Sequence, residues 1–341
     1  MIAIKSNKEL IKLNVLTVFA AVVFIAIYWN LTYTMDWAGY EYAFSHEEVS
    51  RDAAFTFFSN FFDERGWDYR ALFRFHIVLM GVFFAWQYKQ LRVNPLSFIA
   101  LGVLANYVAY GNQIRFYVAL PLVLIALYHW MEHRLLPACL LAAVGCYFHF
   151  SLVVFIAVFV FYASVVEKHN IRTQIFIVAI MNIIVAICFD NRFFVNEQYE
   201  NYYKAARISS ILGGLFNLTP AMVAWFFITK IYATSRKNNG MREFERCRFL
   251  YTVCMCSTLL ILISLRVQIF ATRMIIALFP LWIAYFGITV QSSSVYVRNL
   301  SKIATVVTFS YFLFWRYFLP LIFGVNGEFI QEMSMMLASY S

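Results

Sequence analysis

The strongest constraint on this chain is a series of apolar segments that recur along its whole length, each about 20 residues long, the length at which a helix crosses a membrane. Charged residues make up only 13% of the 341 residues, about half of the share usual in a soluble domain. The sequence therefore predicts an all-α polytopic membrane protein with about eleven transmembrane helices. The predicted spans are roughly 13–34, 71–88, 94–110, 113–130, 135–149, 150–166, 172–190, 212–233, 248–265, 269–290 and 302–323. They use up the length, so we expect a single integral membrane domain over 1–341.

The fifth and sixth predicted spans divide one continuous apolar run, 135–166, at "CYFHFS". This run is too long for one ordinary transmembrane helix and short for two. Two short helices that meet at a re-entrant turn near His149 would fit it.

Positive charge predicts the orientation in the membrane. With the N-terminus in the cytosol, the inner segments hold most of the 27 basic residues and few of the 18 acidic ones, in agreement with the positive-inside rule. This places the loops 35–70 and 191–211 outside and the basic loop 234–247 in the cytosol. The net charge of +9 then follows from topology, and we expect no nucleic-acid partner.

Phenylalanines recur at helical spacing in the loop 35–70, at Phe55, Phe58, Phe61 and Phe62, with polar residues between them. This pattern predicts an amphipathic helix near 50–63. The helix could lie on the outer membrane surface or pack on top of the helix bundle, and both placements could hold together.

Ionisable residues at membrane depth are costly and tend to line a cavity or to pair with one another. The candidates in this chain are Arg74, His76, Arg115, His149, Arg266, Arg273 and Arg316. All of them lie at or near the outer ends of predicted spans, whereas chance would spread them over both sides. This one-sided cluster indicates a polar site that opens outward.

The arginines of this cluster favour an anionic substrate. Arg115 begins the fourth span, with Asn112 three residues earlier on the same helix face, and Arg266 and Arg273 enter the tenth span from the same side. Guanidinium groups match phosphate oxygens and stay charged, and helix N-termini add partial positive charge. The combination predicts a diphosphate headgroup; the alternative for Arg115 is an anchor whose charge reaches the headgroups.

Three further residues are candidates for proton transfer. His149 suits a general base because imidazole titrates close to neutral pH, although a histidine between aromatic residues is also a common structural hydrogen-bonder. Asp36 is the second candidate, and otherwise an ordinary interfacial carboxylate. Asp52 resembles Asp36 in this respect, and a pair with Arg51 would explain it.

Motifs for metals and nucleotides do not occur in the sequence. It contains no Asp-x-Asp, no HExxH, no GxSxG and no Walker loop. We therefore expect no metal and no cofactor, and arginines would neutralise the charge that a metal neutralises in other enzymes.

Five segments follow one another in a characteristic order: "MDWAGYEYAF" with Asp36 and Tyr40, "RDAAFTFFSNFF", "NQIRFYVALPLVL", "CYFHFSLVV" and "FATRMIIALFP". In order and spacing they resemble the motifs of the EpsG-like polysaccharide polymerases, relatives of the Wzy O-antigen polymerases, over about residues 30–285. The chain departs from that pattern at Phe116, where a glutamine is usual. It also departs at Leu278 and Phe279, where an aromatic pair is more usual.

The resemblance implies a bacterial inner-membrane glycosyltransferase whose active site faces the periplasm. Such an enzyme transfers a growing O-antigen or capsule glycan from undecaprenyl diphosphate onto a lipid-linked repeat unit. The implied partners are the lipid-linked donor and acceptor oligosaccharides and the lipid bilayer, and the resemblance also admits a chain-length regulator and a GT-C-like helix bundle.

On this hypothesis arginines hold the donor diphosphate and a histidine or a carboxylate activates the acceptor hydroxyl, with aromatic residues stacking on sugars. The expected catalytic residues are His149, Arg115, Arg273 and Asp36, and the expected substrate-binding residues are Arg207, Arg266, Tyr40, Asn112, Asp52 and Tyr203.

Two functions of other classes remain open. A flippase or exporter of lipid-linked oligosaccharides would need charge at mid-depth that is reachable from both faces, and the sequence shows little of it. A membrane acyltransferase using His149 would need a basic pocket in the inner half of the membrane. A ligase that joins glycan to a lipid core differs from the polymerase only in its acceptor.

Overall fold

The computed structural model describes residues 7–31, 34, 36–46, 52–93, 96, 100–102, 110–190, 211–235, 241–256, 264–265 and 268–318. These residues are 87% helical and contain no strand, which confirms the predicted all-α class. In chain order the helices are α1 (Asn7–Tyr28), α2 (Trp37–Ser45), α3 (Ala53–Asp63), α4 (Tyr69–Gln90), α5 (Ile114–Met131), α6 (Leu135–Phe148), α7 (Leu152–Ser164), α8 (Ile171–Asp190), α9 (Ile211–Ser235), α10 (Met241–Cys256), α11 (Gln268–Thr289) and α12 (Val295–Leu313). A 3-10 turn, Val166–Lys168, precedes α8, and a π turn, Phe314–Phe318, follows α12.

Three of these helices, α4, α5 and α9, are long and apolar enough to cross a membrane. Shorter apolar helical segments are Leu13–Tyr28, Leu135–Phe148, Arg172–Ile184 and Arg273–Thr289. The apolar helices agree with the predicted membrane protein, and the number of about eleven spans stays a prediction. The predicted span 94–110 lies largely outside the described residues.

The chain divides into two compact units, of which the first comprises Met1–Ile156 and Arg316–Ser341. Its core is α5, whose residues are buried almost all round because α4 packs against one side and α6 against another. Helix α1 packs on α4. At Gly145 the helices α5 and α6 approach so closely that an added Cβ would lie 2.6 Å from Cγ2 of Val123.

The predicted amphipathic helix is present as α3. Its buried face consists of Ala54, Phe55, Ser59 and Phe62, and it packs against α4 and α6. The packing of α3 on the bundle is therefore observed, and its location at the outer membrane surface stays a prediction.

The apolar run 135–166 forms two helices rather than one. Helix α6 ends at Phe148 and α7 begins at Leu152, and His149 between them has an extended backbone with φ −152° and ψ 97°. This confirms a break where the sequence predicts one, and its re-entrant geometry in a membrane stays a prediction.

The second unit comprises Ala157–Trp315. In it α9 packs against α11 and α12, and α10 packs against α9 and α11. Helix α9 continues to Ser235 and α10 begins at Met241, so the described parts of the predicted basic loop 234–247 are helical. The predicted single membrane domain over 1–341 stays a prediction.

Candidate functional site

Asp52 stands at the start of α3, in the position where a carboxylate usually caps the first turn of a helix. Its side chain accepts no hydrogen bond from that turn. It points instead to the break after α6, where Oδ1 accepts a hydrogen bond from the backbone N–H of Phe150 at 3.0 Å. The side chain of Asp52 thus does not cap its own helix. It contacts residues about 100 positions away in the sequence instead.

His149 is the second member of the site. Its Nδ1 lies 3.1 Å from Oδ2 of Asp52, and its backbone N–H bonds to the carbonyl oxygen of Gly145 at 3.0 Å. No residue in the described part of the chain hydrogen-bonds to Nε2. Because a carboxylate at Nδ1 favours the proton on that nitrogen, Nε2 carries the lone pair and can accept a proton.

Arg115 approaches the same carboxylate from the first turn of α5. Its Nη1 lies 2.9 Å from Oδ2 of Asp52, and its Nε donates to the hydroxyl of Tyr40 at 3.5 Å. Its Cζ lies 4.9 Å from the ring centre of Tyr40 and 5.2 Å from that of Phe55. The two ring centres are 5.4 Å apart, so the guanidinium and the rings form a nearly equilateral triangle, favourable for a cation beside aromatic rings.

Burial and charge act in opposite directions on Asp52, whose residue is only 6% exposed. Burial alone would raise its pKa, but the hydrogen bond and electrostatic interaction with His149, the charge of Arg115 and the Phe150 N–H together hold the pKa below its ordinary value. Asp52 is therefore ionised at neutral pH. For Tyr40, burial raises the pKa in spite of the nearby charge of Arg115, so its hydroxyl is neutral there.

Aromatic rings surround the Asp52–His149 pair. Phe116 presents its ring edge-to-face to His149, with centres 5.6 Å apart and an interplanar angle of 86°. Phe58 of α3 stacks on Phe148 of α6 at 5.9 Å, and the fully buried His76 lies 5.9 Å from Phe55. The Phe58–Phe148 contact joins α3 to α6, and the Phe55–His76 contact joins α3 to α4.

The structure thus brings together four of the residues singled out in the sequence: Tyr40, Asp52, Arg115 and His149. Asp36 is exposed at the start of α2, and its backbone oxygen accepts a hydrogen bond from the N–H of Tyr40. Asn112 is half-buried before α5, and its Oδ1 is buried without a hydrogen-bond partner among the described residues.

The remaining predicted site residues belong to the second unit or lie outside the described residues. Arg273 is half-buried in α11 and belongs to the second unit. Arg207, Arg266 and Tyr203 lie outside the described residues, as does Arg51, the partner that the sequence suggested for Asp52.

Sequence reasoning missed Phe55 and the backbone of Phe150. Phe55 was visible only as part of an apolar helical pattern, and the contact made by Phe150 is a main-chain one that no residue type signals. In the described ranges, no group of three or more His, Cys, Asp or Glu residues could hold a metal ion.

The apolar helices define a helical membrane protein, and the Asp52–His149 pair is its candidate acid–base site. The model of the EpsG family matches residues 15–329, nearly the whole chain, and the chain belongs to this family. This confirms the resemblance inferred from the sequence motifs and indicates a role in polysaccharide biosynthesis at a membrane. No curated protein and no solved structure matches the chain.

Proposed function

We propose that this protein is a polysaccharide polymerase of the bacterial inner membrane. It transfers a growing glycan from undecaprenyl diphosphate onto a lipid-linked repeat unit at the periplasmic face. Family membership supports the reaction class. The observation that carries the chemistry is the contact of His149 Nδ1 with the buried Asp52 carboxylate at 3.1 Å, because it leaves Nε2 as the proton acceptor.

In this reaction His149 Nε2 removes the proton from the acceptor sugar hydroxyl as its oxygen bonds to the anomeric carbon of the donor glycan. The bond between that carbon and the diphosphate oxygen breaks, and undecaprenyl diphosphate leaves with the electron pair. The proton stays on the imidazole until it is released to solvent. Asp52 does not take this proton; it holds the ring in one orientation and stabilises the imidazolium that forms.

The leaving diphosphate gains negative charge as the bond breaks. A nearby positive group therefore stabilises the transition state more than the bound substrate. The sequence offers Arg115, Arg273, Arg207 and Arg266 for this role, and arginine in place of a metal makes the reaction metal-independent. Sugar contacts fall to Tyr40, Asn112 and Tyr203, and Asp36 is the second candidate for the base.

The decisive experiment is reconstitution of the purified protein in lipid with defined undecaprenyl-diphosphate-linked repeat units and a chelator. We expect polymer from the wild type. In His149→Gln we expect polymerisation to be slower by about 10²-fold or more. His46→Gln serves as control, because His46 is exposed at the end of α2 and its ring nitrogen Nδ1 contacts the carbonyl oxygen of Tyr42. Full activity of His149→Gln would transfer the role of base to Asp36.

The same preparation separates the alternatives. A flippase would move repeat units between leaflets without joining them, and its deletion in cells would leave units on the cytosolic side. Deletion of a polymerase leaves single repeats outside. An acyltransferase would consume an acyl donor, and a ligase would need a lipid-core acceptor.

A further inference from the structure

Resting on the proposed function, we infer that Arg115 is a positioning residue for the Asp52–His149 pair and does not hold the donor diphosphate. Sequence reasoning alone gives Arg115 and Arg273 the same role, since both are arginines at the ends of predicted spans. The structure adds an observation on Arg115, because its guanidinium is bonded to Asp52 within the candidate acid–base site.

Arg115 makes its contacts inside the candidate acid–base site. Its Nη1 and the Nδ1 of His149 both contact the same carboxylate oxygen, Oδ2 of Asp52, at 2.9 and 3.1 Å, while Oδ1 accepts from the N–H of Phe150. Three donors from two segments, the start of α5 and the break after α6, thus fix both carboxylate oxygens. The orientation of Asp52, and through it that of His149, depends on Arg115.

The negative charge of Asp52 opposes the binding of an anion to Arg115. A diphosphate bonded to Arg115 would come within a few ångströms of the ionised Asp52, which would repel it. Moving Arg115 onto the diphosphate would instead remove a cation from a carboxylate that is 6% exposed, and an uncompensated buried charge is strongly unfavourable. Either arrangement makes Arg115 a poor ligand for an anion.

Contacts on several sides also fix the position of the Arg115 side chain. The side chain of Arg115 is held at Nη1 by Asp52 and at Nε by Tyr40, and the rings of Tyr40 and Phe55 lie about 5 Å from its Cζ. A group held in this way keeps a neighbour in place. Cationic groups other than Arg115 therefore bind the donor diphosphate. The Asp52–His149 pair acts on the acceptor hydroxyl.

A double-mutant cycle with Asp52→Asn and Arg115→Gln tests this inference in the reconstituted system. If Arg115 acts only through Asp52, Arg115→Gln lowers kcat about tenfold or more and leaves the donor KM within about twofold. Made in the Asp52→Asn background, the same substitution then changes kcat by less than about twofold. Arg65→Gln is the matched control, because Arg65 is an exposed arginine that bonds to the carbonyl of Phe61.

Binding of undecaprenyl diphosphate in detergent micelles gives a second measurement that does not depend on turnover. Affinity of Arg115→Gln within about twofold of the wild type supports the inference. An increase of tenfold or more in the donor KM or in the dissociation constant, with the same factor in the Asp52→Asn background, would overturn it, as would wild-type kcat in Arg115→Gln.

Poor folding of a variant and failure of the proposed function can both be told apart from failure of the inference. If Arg115→Gln accumulates poorly, Arg115→Lys takes its place, with a lowered kcat at unchanged donor KM as the supporting result. If the wild type forms no polymer at all, the proposed function fails instead, and only the binding measurement bears on Arg115.

Discussion

His149 Nδ1 lies 3.1 Å from Oδ2 of Asp52, although 97 residues separate the two in the sequence. One residue begins a short helix in a predicted loop, and the other ends a helix in a predicted membrane span. The pair exists because α3 packs on α6 through rings such as Phe58 and Phe148. Apolar packing therefore places the two polar groups that give the site its chemistry.

Replacing Asp52 by asparagine should abolish most of the activity. The side chain of Asp52 contacts three donors: Arg115, His149 and the Phe150 N–H. An amide has one acceptor oxygen, so in either orientation its NH₂ group faces at least one donor. We expect a loss of about 10²-fold or more in kcat, because His149 loses its orientation and its counter-charge.

The measurement is polymer formation per milligram of folded protein. Asp63→Asn is the matched control, since Asp63 is an exposed carboxylate at the end of the same helix. An Asp52→Asn protein with more than about half of the wild-type kcat would exclude Asp52 from the acid–base site.

Asp52 should also make the stability depend on pH. The folded protein holds the pKa of Asp52 below its ordinary value of 3.8, so the ionised form favours the folded state. This stabilisation is complete above the ordinary value and is lost as the pH falls from there through the folded-state pKa. We expect the difference in Tm between wild type and Asp52→Asn in detergent to shrink as the pH falls below about 4. A difference that stays constant down to about pH 2 would contradict this sign.

Features that depend on local sequence could be predicted, and contacts that depend on tertiary packing could not. The helix near 50–63 and the break at His149 are encoded in periodicity and run length, so they could be predicted. Arg115 and His149 stood out because ionisable groups at membrane depth are costly. The bond between Asp52 and His149 could not be predicted, because an aspartate before a helix already has a local explanation as a cap, and only packing shows that it does not cap.

Gly145 should tolerate no side chain. An added Cβ would lie 2.6 Å from Cγ2 of Val123, a branched side chain that cannot swing away, and 3.3 Å from the carbonyl oxygen of Ala119. We expect Gly145→Ala to destabilise the protein by about 1–3 kcal/mol and to lower kcat, because the carbonyl of Gly145 accepts the N–H of His149.

Thermal unfolding and turnover of the same preparation check both effects. Gly287→Ala is the control: Gly287 lies in α11, its added Cβ would meet no atom of another described segment within 4 Å, and alanine there should stabilise by up to about 1 kcal/mol. Equal Tm values for the two variants would show that α5 and α6 can separate at no cost.

A buried carboxylate should stabilise the second unit without affecting catalysis. Glu167 is 5% exposed, and it accepts from Nε of Arg248 at 2.8 and 3.0 Å and from the hydroxyl of Tyr232 at 2.7 Å. Removing one partner of a buried ion pair typically costs about 3–5 kcal/mol, and the 35% exposure of the Arg248 side chain reduces this to about 2 for Glu167→Gln.

Tyr232→Phe should cost less than Glu167→Gln, because it removes one hydrogen bond and keeps the ring stacked on Tyr251 at 3.8 Å. Denaturation in detergent measures both, with the exposed Lys168→Gln as control. Activity per folded molecule should stay at the wild-type level in all three, and a selective loss of kcat would instead assign Glu167 a role in the reaction.

Phe116 follows Arg115 in α5, and its ring contacts that of His149 edge-to-face with centres 5.6 Å apart. An aromatic pair of this kind contributes about 0.5–1.5 kcal/mol beyond its buried area. If that contact holds the imidazole in its productive orientation, Phe116→Leu lowers kcat about three- to tenfold with both KM values unchanged. Phe116→Tyr retains the ring and should keep kcat within about twofold of the wild type. Steady-state kinetics of the two variants decide the matter: equal kcat values for leucine and tyrosine would show that the edge contact does not orient His149.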